Sequence, residues 1–124
     1  MSNAAADRYL TERVMTASPA ELTAMLYDAA VGALKSAVRL QEQNDIIGAR
    51  PRIQKAQDIV LELRTTLNRE AGELADHLDA LYTFAWTQML EGSVRGDIRK
   101  TKAALDVIEP LQQAWREACL VMAA

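Results

Sequence analysis

The chain has 124 residues with 14 basic and 17 acidic side chains, a formal charge of −3 and a sequence pI near 5.1, which excludes a polybasic nucleic-acid binder. Half the residues are hydrophobic and only 5% are aromatic; the apolar set is mostly Ala and Leu, which favours helix over sheet. The length suits one domain able to bury roughly two thirds of its unfolded surface, and a lone Cys119 excludes an intramolecular disulfide.

No basic region followed by an apolar stretch opens the chain, and no unbroken run of about 18 apolar residues occurs, so neither a leader nor a spanning helix is expected and the expected location is the cytoplasm. Residues 1–17 read as an N-terminal arm, with an Ala-rich start expected to be mobile as far as Ala6. Its apolar anchors are Tyr9, Leu10, Val14 and Met15. They suit either a short arm or a helix lying on the rest of the domain, residues 18–124.

Ser18-Pro19-Ala20-Glu21 is a helix start: Ser18 can cap a first turn, Pro19 fits the first helical position and Glu21 sits three residues after the cap. Leu22, Met25, Leu26, Ala29, Ala33, Ala37 and Leu40 then recur at steps of three and four, predicting an amphipathic helix with a thin Ala ridge. Asn44-Asp45 ends that helix and caps the next, in which Ile53, Ala56, Val60, Leu63 and Leu67 repeat. Gly48 and Pro51 fall in its first turns, so it either kinks there or starts afresh near Pro51.

Asn68 to Gly72 makes the next break. Leu74, Leu78, Leu81, Ala85 and Met89 mark a third helix fading at Gly92-Ser93, and Gly96-Asp97 makes the last turn, with Asp97 as the cap. Ile98, Thr101, Leu105, Ile108, Leu111, Trp115 and Cys119 continue a fourth stripe, which Pro110 should bend or split. Trp115 and Cys119 read as core residues. Four stripes joined by short connections predict an all-α fold, an antiparallel up-down-up-down four-helix bundle.

The residues for catalysis are sparse. One His, one Cys and scattered carboxylates make no nucleophile–base constellation. Glu73 and His77 lie four apart on one face, but a di-iron bundle needs a Glu-x-x-His pair from each of two helices and two further Glu. No phosphate-binding glycine loop, paired-thiol zinc pattern or dinucleotide fingerprint occurs, and the glycines fall at or near predicted helix ends or close contacts. The expectation is a protein without enzymatic activity, metal or cofactor.

The surface is more informative. Tyr82, Phe84 and Trp86 alternate along the third helix, so they cannot all face one core; with Leu78, Leu81, Ala85 and Met89 as the seam, Trp86 falls roughly opposite it and the other two flank it. A single partly exposed Trp needs no special role. Ile59 and Leu61 lie off the second stripe, however, and Tyr27, Ala30, Val31 and Leu34 widen the first beyond the three apolar positions per heptad that a bundle helix needs. The surplus fits either a broad core or shallow grooves for a partner's helices.

Several segments taken in order are similar to one known family. Tyr9, the stretch Thr16-Ala17-Ser18-Pro19-Ala20-Glu21-Leu22 and Met25-Leu26-Tyr27-Asp28 resemble the N-terminal signature of the flagellar export chaperone FliS family. Lys55-Ala56-Gln57-Asp58-Ile59-Val60-Leu61-Glu62-Leu63 resembles its second-helix motif, and Gly72-Glu73-Leu74-Ala75, Leu78-Asp79-Ala80-Leu81-Tyr82, Leu90, Asp97 and Ala114-Trp115 resemble the remainder. The likeness runs from about Tyr9 to Ala118. It departs at Ala71, where the family has the first Gly of a Gly-Gly turn, at Gly48 and Pro51 inside the second helix, and at Trp86, where an aliphatic residue is usual.

The resemblance implies a four-helix bundle that binds the disordered C-terminal segment of flagellin in the cytoplasm, blocks its premature polymerisation and presents it to the export gate. It implies no nucleic acid, cofactor or membrane insertion, and a monomer or weak dimer when free. Tyr9 matches an arm residue able to cover the cargo site and contact the gate, or else a staple holding the arm to the bundle. Tyr27 and Tyr82 match motif tyrosines suited to a semi-exposed groove edge. With Tyr9, Ile59, Phe84 and Trp86 they make up the expected partner-binding set; Asp28 and Lys55 read as solvating or ion-paired residues worth about 0–1 kcal/mol. The rival reading is a self-associating helical bundle with no flagellin cargo.

Overall fold

The computed structural model of the protein describes residues 4–123, which form five α-helices and no strand. They are α1 (Ala4–Thr16), α2 (Pro19–Glu42), α3 (Ile46–Thr65), α4 (Glu73–Arg95) and α5 (Ile98–Ala123), with a 3-10 turn at Arg69–Ala71 between α3 and α4. The Ala-rich start straddles the boundary: Met1 to Asn3 lie outside the described residues, as does Ala124, while Ala4 to Ala6 are helical.

The start signals act as their chemistry dictates. The extended Ser18 accepts from the Glu21 amide at 3.2 Å, with Pro19 first in the helix. Asp45 accepts from Gly48 N at 2.8 Å and Asp97 from Arg99 N at 3.0 Å, each filling an amide that the first turn leaves without a partner. Asn44 closes the α2–α3 turn at φ 62°, a conformation Asn tolerates better than most residues. Gly72 takes φ 61° after Ala71 has already adopted the 3-10 turn, so one glycine suffices there.

Helices α2 to α5 make the bundle: α2 packs on α3 and α5, and α4 packs on the same two. Lys35 bridges Glu109, and farther back along α2 the Ala20 carbonyl takes the Trp115 indole N–H at 2.9 Å, so α2 and α5 run antiparallel. Leu34, Ile53, Met89 and Ile108, one from each helix, are fully buried at the centre. Each contributes about 1.5–3 kcal/mol by leaving water.

Two of the four stripes are rotated from their expected positions. On α2 the buried residues are Tyr27, Ala30, Val31, Ala33, Leu34, Ala37, Val38 and Gln41, so residues read as a widening flank are the core. Leu22 is exposed, and Met25, Leu26, Ala29 and Leu40 are half-buried. On α4 the seam is Ala75, Tyr82, Ala85, Met89 and Gly92, while Leu74 and Leu81 face out.

Other expectations change with the backbone. α3 already runs from Ile46 through Pro51, and α5 passes Pro110 unbroken, so neither proline starts or splits a helix. α4 does not fade at Gly92-Ser93 but continues to Arg95 and ends at Gly96, whose φ of 64° is left-handed. Gly32 lies neither at a helix end nor at a close contact: it is exposed inside α2 with open space beside it.

Candidate functional site

The six residues singled out from sequence separate into different environments. Tyr9 is 65% exposed on α1, a helix with no buried residue. Phe84 projects from α4 into solvent, and Ile59 is half-buried against the core. Trp86 is 36% exposed, whereas Tyr27 and Tyr82 are each only 3% exposed. The expectation of two semi-exposed tyrosines is therefore corrected: on the rotated stripes both phenols point inward.

Their phenol tips explain how polar groups are tolerated there. The two hydroxyls hydrogen-bond each other inside the core, which satisfies both without water. Tyr27 also stacks obliquely on Trp115, with ring centroids 6.4 Å apart, and Trp115 anchors its own N–H on Ala20. Burial pushes the Tyr27 phenol well above its ordinary value, with the Tyr82 hydroxyl adding to the effect. Burial raises Tyr82 as well, against a smaller opposing pull from its bond to Tyr27.

Two clefts meet at Tyr82. The first, of about 250 Å³, opens where α3 turns into α4; Tyr27, Leu63, Leu67, Leu74, Leu78 and Trp115 are among its walls. The second, of about 180 Å³, lies between α3 and α4 and is lined by Val60, Leu61, Arg64, Tyr82, Thr83 and Trp86. Tyr82 and Trp86 sit one turn apart on α4, so the spacing that buries the phenol leaves the indole on the rim. Leu61, half exposed, rises opposite from α3.

Charge frames this second cleft. Asp79 takes the guanidinium of Arg64 on one oxygen and that of Arg69, at 3.2 Å, on the other. The hydrogen bonds from Arg64 and then Arg69 hold the Asp79 carboxyl below its ordinary range. The apolar wall thus ends in a fixed polar rim, which suits an amphipathic helix with one apolar face. Past the cleft, Leu90 and Val94 follow Trp86 at successive four-residue steps and stay exposed, extending the apolar strip along α4.

Of the six residues grouped from sequence, the structure brings Tyr27 and Tyr82 to the first cleft and Tyr82 and Trp86 to the second, and leaves Tyr9, Ile59 and Phe84 outside both linings. Sequence reading missed Arg64, Leu63, Leu67 and the lining role of Trp115. The signal for Arg64 was its position one turn beyond Leu61 on the same face. A third apolar hollow is shared by Val14 of α1 with Leu22, Met25 and Leu26 of α2, residues first assigned to the core.

His77 and Glu73 are both exposed, Cys119 is half-buried with its thiol 3.9 Å from the Ala20 carbonyl, and among the described residues no three His, Cys, Asp or Glu side chains gather so as to hold a metal. No helix among them is long and apolar enough to cross a membrane. What the site offers is apolar surface with a charged edge.

The likenesses of the chain are consistent with one another. Residues 1–121 match the sequence profile of the family described as Flagellar protein FliS. The flagellar secretion chaperone FliS of Bacillus subtilis (strain 168) is 29% identical over 110 residues, covering 89% of this chain and 82% of the relative. The protein of the same name from Salmonella typhimurium (strain LT2) is 31% identical over 106 residues, covering 84% and 78%. In three dimensions the fold is similar to a crystal structure of a bacterial flagellar chaperone, with a TM-score of 0.72 at 23% identity over 93% of this chain and 94% of that one.

Proposed function

The chain belongs to the FliS family of flagellar secretion chaperones, and from that membership we propose that it holds the C-terminal segment of flagellin as amphipathic helices in its apolar clefts. The bound segment is kept from polymerising in the cytoplasm and is handed to the export gate of the flagellar secretion apparatus. No nucleotide or cofactor enters this reaction; it is binding coupled to ordering, in which apolar contact offsets the entropy the flexible segment loses. Residues 1–17 act as an arm beside the cargo surface, with Tyr9 as its contact residue.

The observation that carries this reading is the α3–α4 cleft, where a 36% exposed Trp86 and a half-exposed Leu61 stand over a floor made by Val60 and the buried Tyr82. A large indole left on a rim is what a helix partner buries. Calorimetric titration with the flagellin C-terminal peptide tests it. Binding with a negative heat-capacity change is the expected result, and no binding at micromolar concentration rejects the reading.

A further inference from the structure

The end of the bundle farthest from the first cleft carries a second surface of different chemistry. There the α2–α3 and α4–α5 turns touch, because Ile46 packs over Gly96: a Cβ placed on that glycine would lie 2.9 Å from Ile46 Cδ1. Ile47, 72% exposed, and Val94, 67% exposed, flank this contact. Arg50 lies one turn along α3 from Ile47, and Arg95 directly follows Val94.

Positive charge is in excess there. Among the described residues Arg39, Arg50, Arg52, Arg95 and Lys102 toward this pole are exposed and make no ion pair, as is true of Lys55 midway along α3 and of Arg8 and Arg13 on α1, whereas Lys35, Arg64, Arg69 and Arg116 are all paired. Most nearby acids are already engaged, the exception being Glu42 in the last turn of α2, which is exposed and makes no ion pair. Asp45 caps α3, Asp97 caps α5 while pairing Arg99, and Glu91 pairs Lys100 at 3.2 Å. In a chain that is acidic overall, this leaves one pole with free guanidinium groups around an apolar centre.

We propose that this pole docks an acidic amphipathic segment of a second protein, its apolar side chains on Ile47 and Val94 and its carboxylates on Arg50, Arg95 and the cations behind them. Charge complementarity selects this occupant: Arg pairs carboxylates in two-point geometry, and an apolar centre ringed by Arg resembles a protein interface more than a lipid-facing surface. None of Ile47, Arg50, Val94 and Arg95 lines the α3–α4 cleft proposed to take flagellin, although the strip through Leu90 and Val94 runs from one to the other. A cargo-loaded chaperone therefore keeps the pole open for a second partner.

The test uses the full chain and two synthetic amphipathic peptides, one with Leu on one face and Glu on the other, and a twin with Lys in place of Glu. The Glu peptide should shift backbone amide resonances of residues 39–55 and 90–102, bind at least tenfold tighter than its twin, and weaken as salt is raised. Arg50→Glu combined with Arg95→Glu should lower that affinity at least tenfold and leave the flagellin-peptide titration unchanged. Ile47→Ser, which alters no charge, should weaken it as well. Equal binding of the two peptides, shifts confined to the α3–α4 cleft, or no loss in the charge-reversed protein overturns the proposal. Capture by phosphatidylserine vesicles without binding of the Glu peptide also overturns it and reassigns the pole to a membrane surface.

Discussion

The hydroxyls of Tyr27 and Tyr82 are each other's hydrogen-bond partners in the core, joining α2 to α4 across the diagonal of the bundle, although these two helices are not sequence neighbours. A buried donor and acceptor that satisfy each other are coupled energetically. Tyr82→Phe leaves the Tyr27 hydroxyl buried and unpaired, an expected cost of about 1–3 kcal/mol, while changing both to Phe removes the unmet group and costs less than the sum of the single changes. Urea unfolding of the four proteins in the cycle measures this. Additive effects would show that the hydroxyls do not depend on each other.

The same pair predicts an alkaline weakness. Both phenols have folded values above their ordinary one of 10.0, because burial disfavours the phenolate. The unfolded chain ionises first as pH rises, so the unfolded state gains and the native state does not. Their contribution is fully present below about pH 10 and declines above it. The urea midpoint of the wild type should fall more steeply between pH 9 and about 11 than that of the double Tyr27→Phe, Tyr82→Phe variant. Parallel slopes would remove these tyrosines as the cause.

Trp86 and Met89 lie three residues apart on α4 and should respond in opposite ways. Met89 is fully buried and Trp86 is on the rim of the α3–α4 cleft. Met89→Ala should cost about 2–5 kcal/mol of stability through the cavity it leaves. Trp86→Ala should shift the melting temperature by a few degrees at most, yet weaken the flagellin peptide by about 2 kcal/mol or more, roughly thirtyfold. A collapse of the melting temperature in Trp86→Ala would make the indole a core residue and remove it from the proposed cargo surface.

The fold was legible where a local rule had one solution. Ser18, Asp45 and Asp97 each combine a short acceptor side chain with a following helical pattern, and each caps as read. On α3 the stripe Ile53, Ala56, Val60 and Leu63 is the observed core, since charged residues bound it on either side. On α2 apolar residues surround more than half the helix, so several stripes satisfy the three-and-four spacing and the chosen one was rotated. On α4 the seam uses Ala75 and Gly92, which carry little apolar signal, while the conspicuous Leu74 and Leu81 face out. The same rotation explains the site: Tyr82 was placed at a groove edge because the seam was drawn through Leu81, one position away. Trp86 was placed roughly opposite that seam for the same reason; it lies instead on the cleft rim, one turn from the buried Tyr82.

Gly32 and Gly92 occupy helix interiors yet should answer an added methyl with opposite signs. At Gly32 nothing lies within 4 Å of the added Cβ, and the residue is exposed, so Gly32→Ala lowers only the entropy of the unfolded chain and should stabilise by about 0.5–1 kcal/mol. At Gly92 the new Cβ meets the Thr101 hydroxyl oxygen and lies 3.0 Å from the Thr101 backbone nitrogen, which cannot rotate away. The Gly92 carbonyl also accepts from the buried Gln41 amide at 3.1 Å, so pushing α4 off α5 strains a link to α2 as well. Gly92→Ala should therefore destabilise by about 1–3 kcal/mol. Adding Thr101→Ala to it should restore part of the loss, because the hydroxyl in the way makes no hydrogen bond of its own. Thermal and urea unfolding of Gly32→Ala, Gly92→Ala and the Gly92→Ala, Thr101→Ala pair decide the matter. A Gly92→Ala protein as stable as wild type would mean that α4 and α5 can separate at this crossing without cost, and the close approach would then not be what requires glycine there.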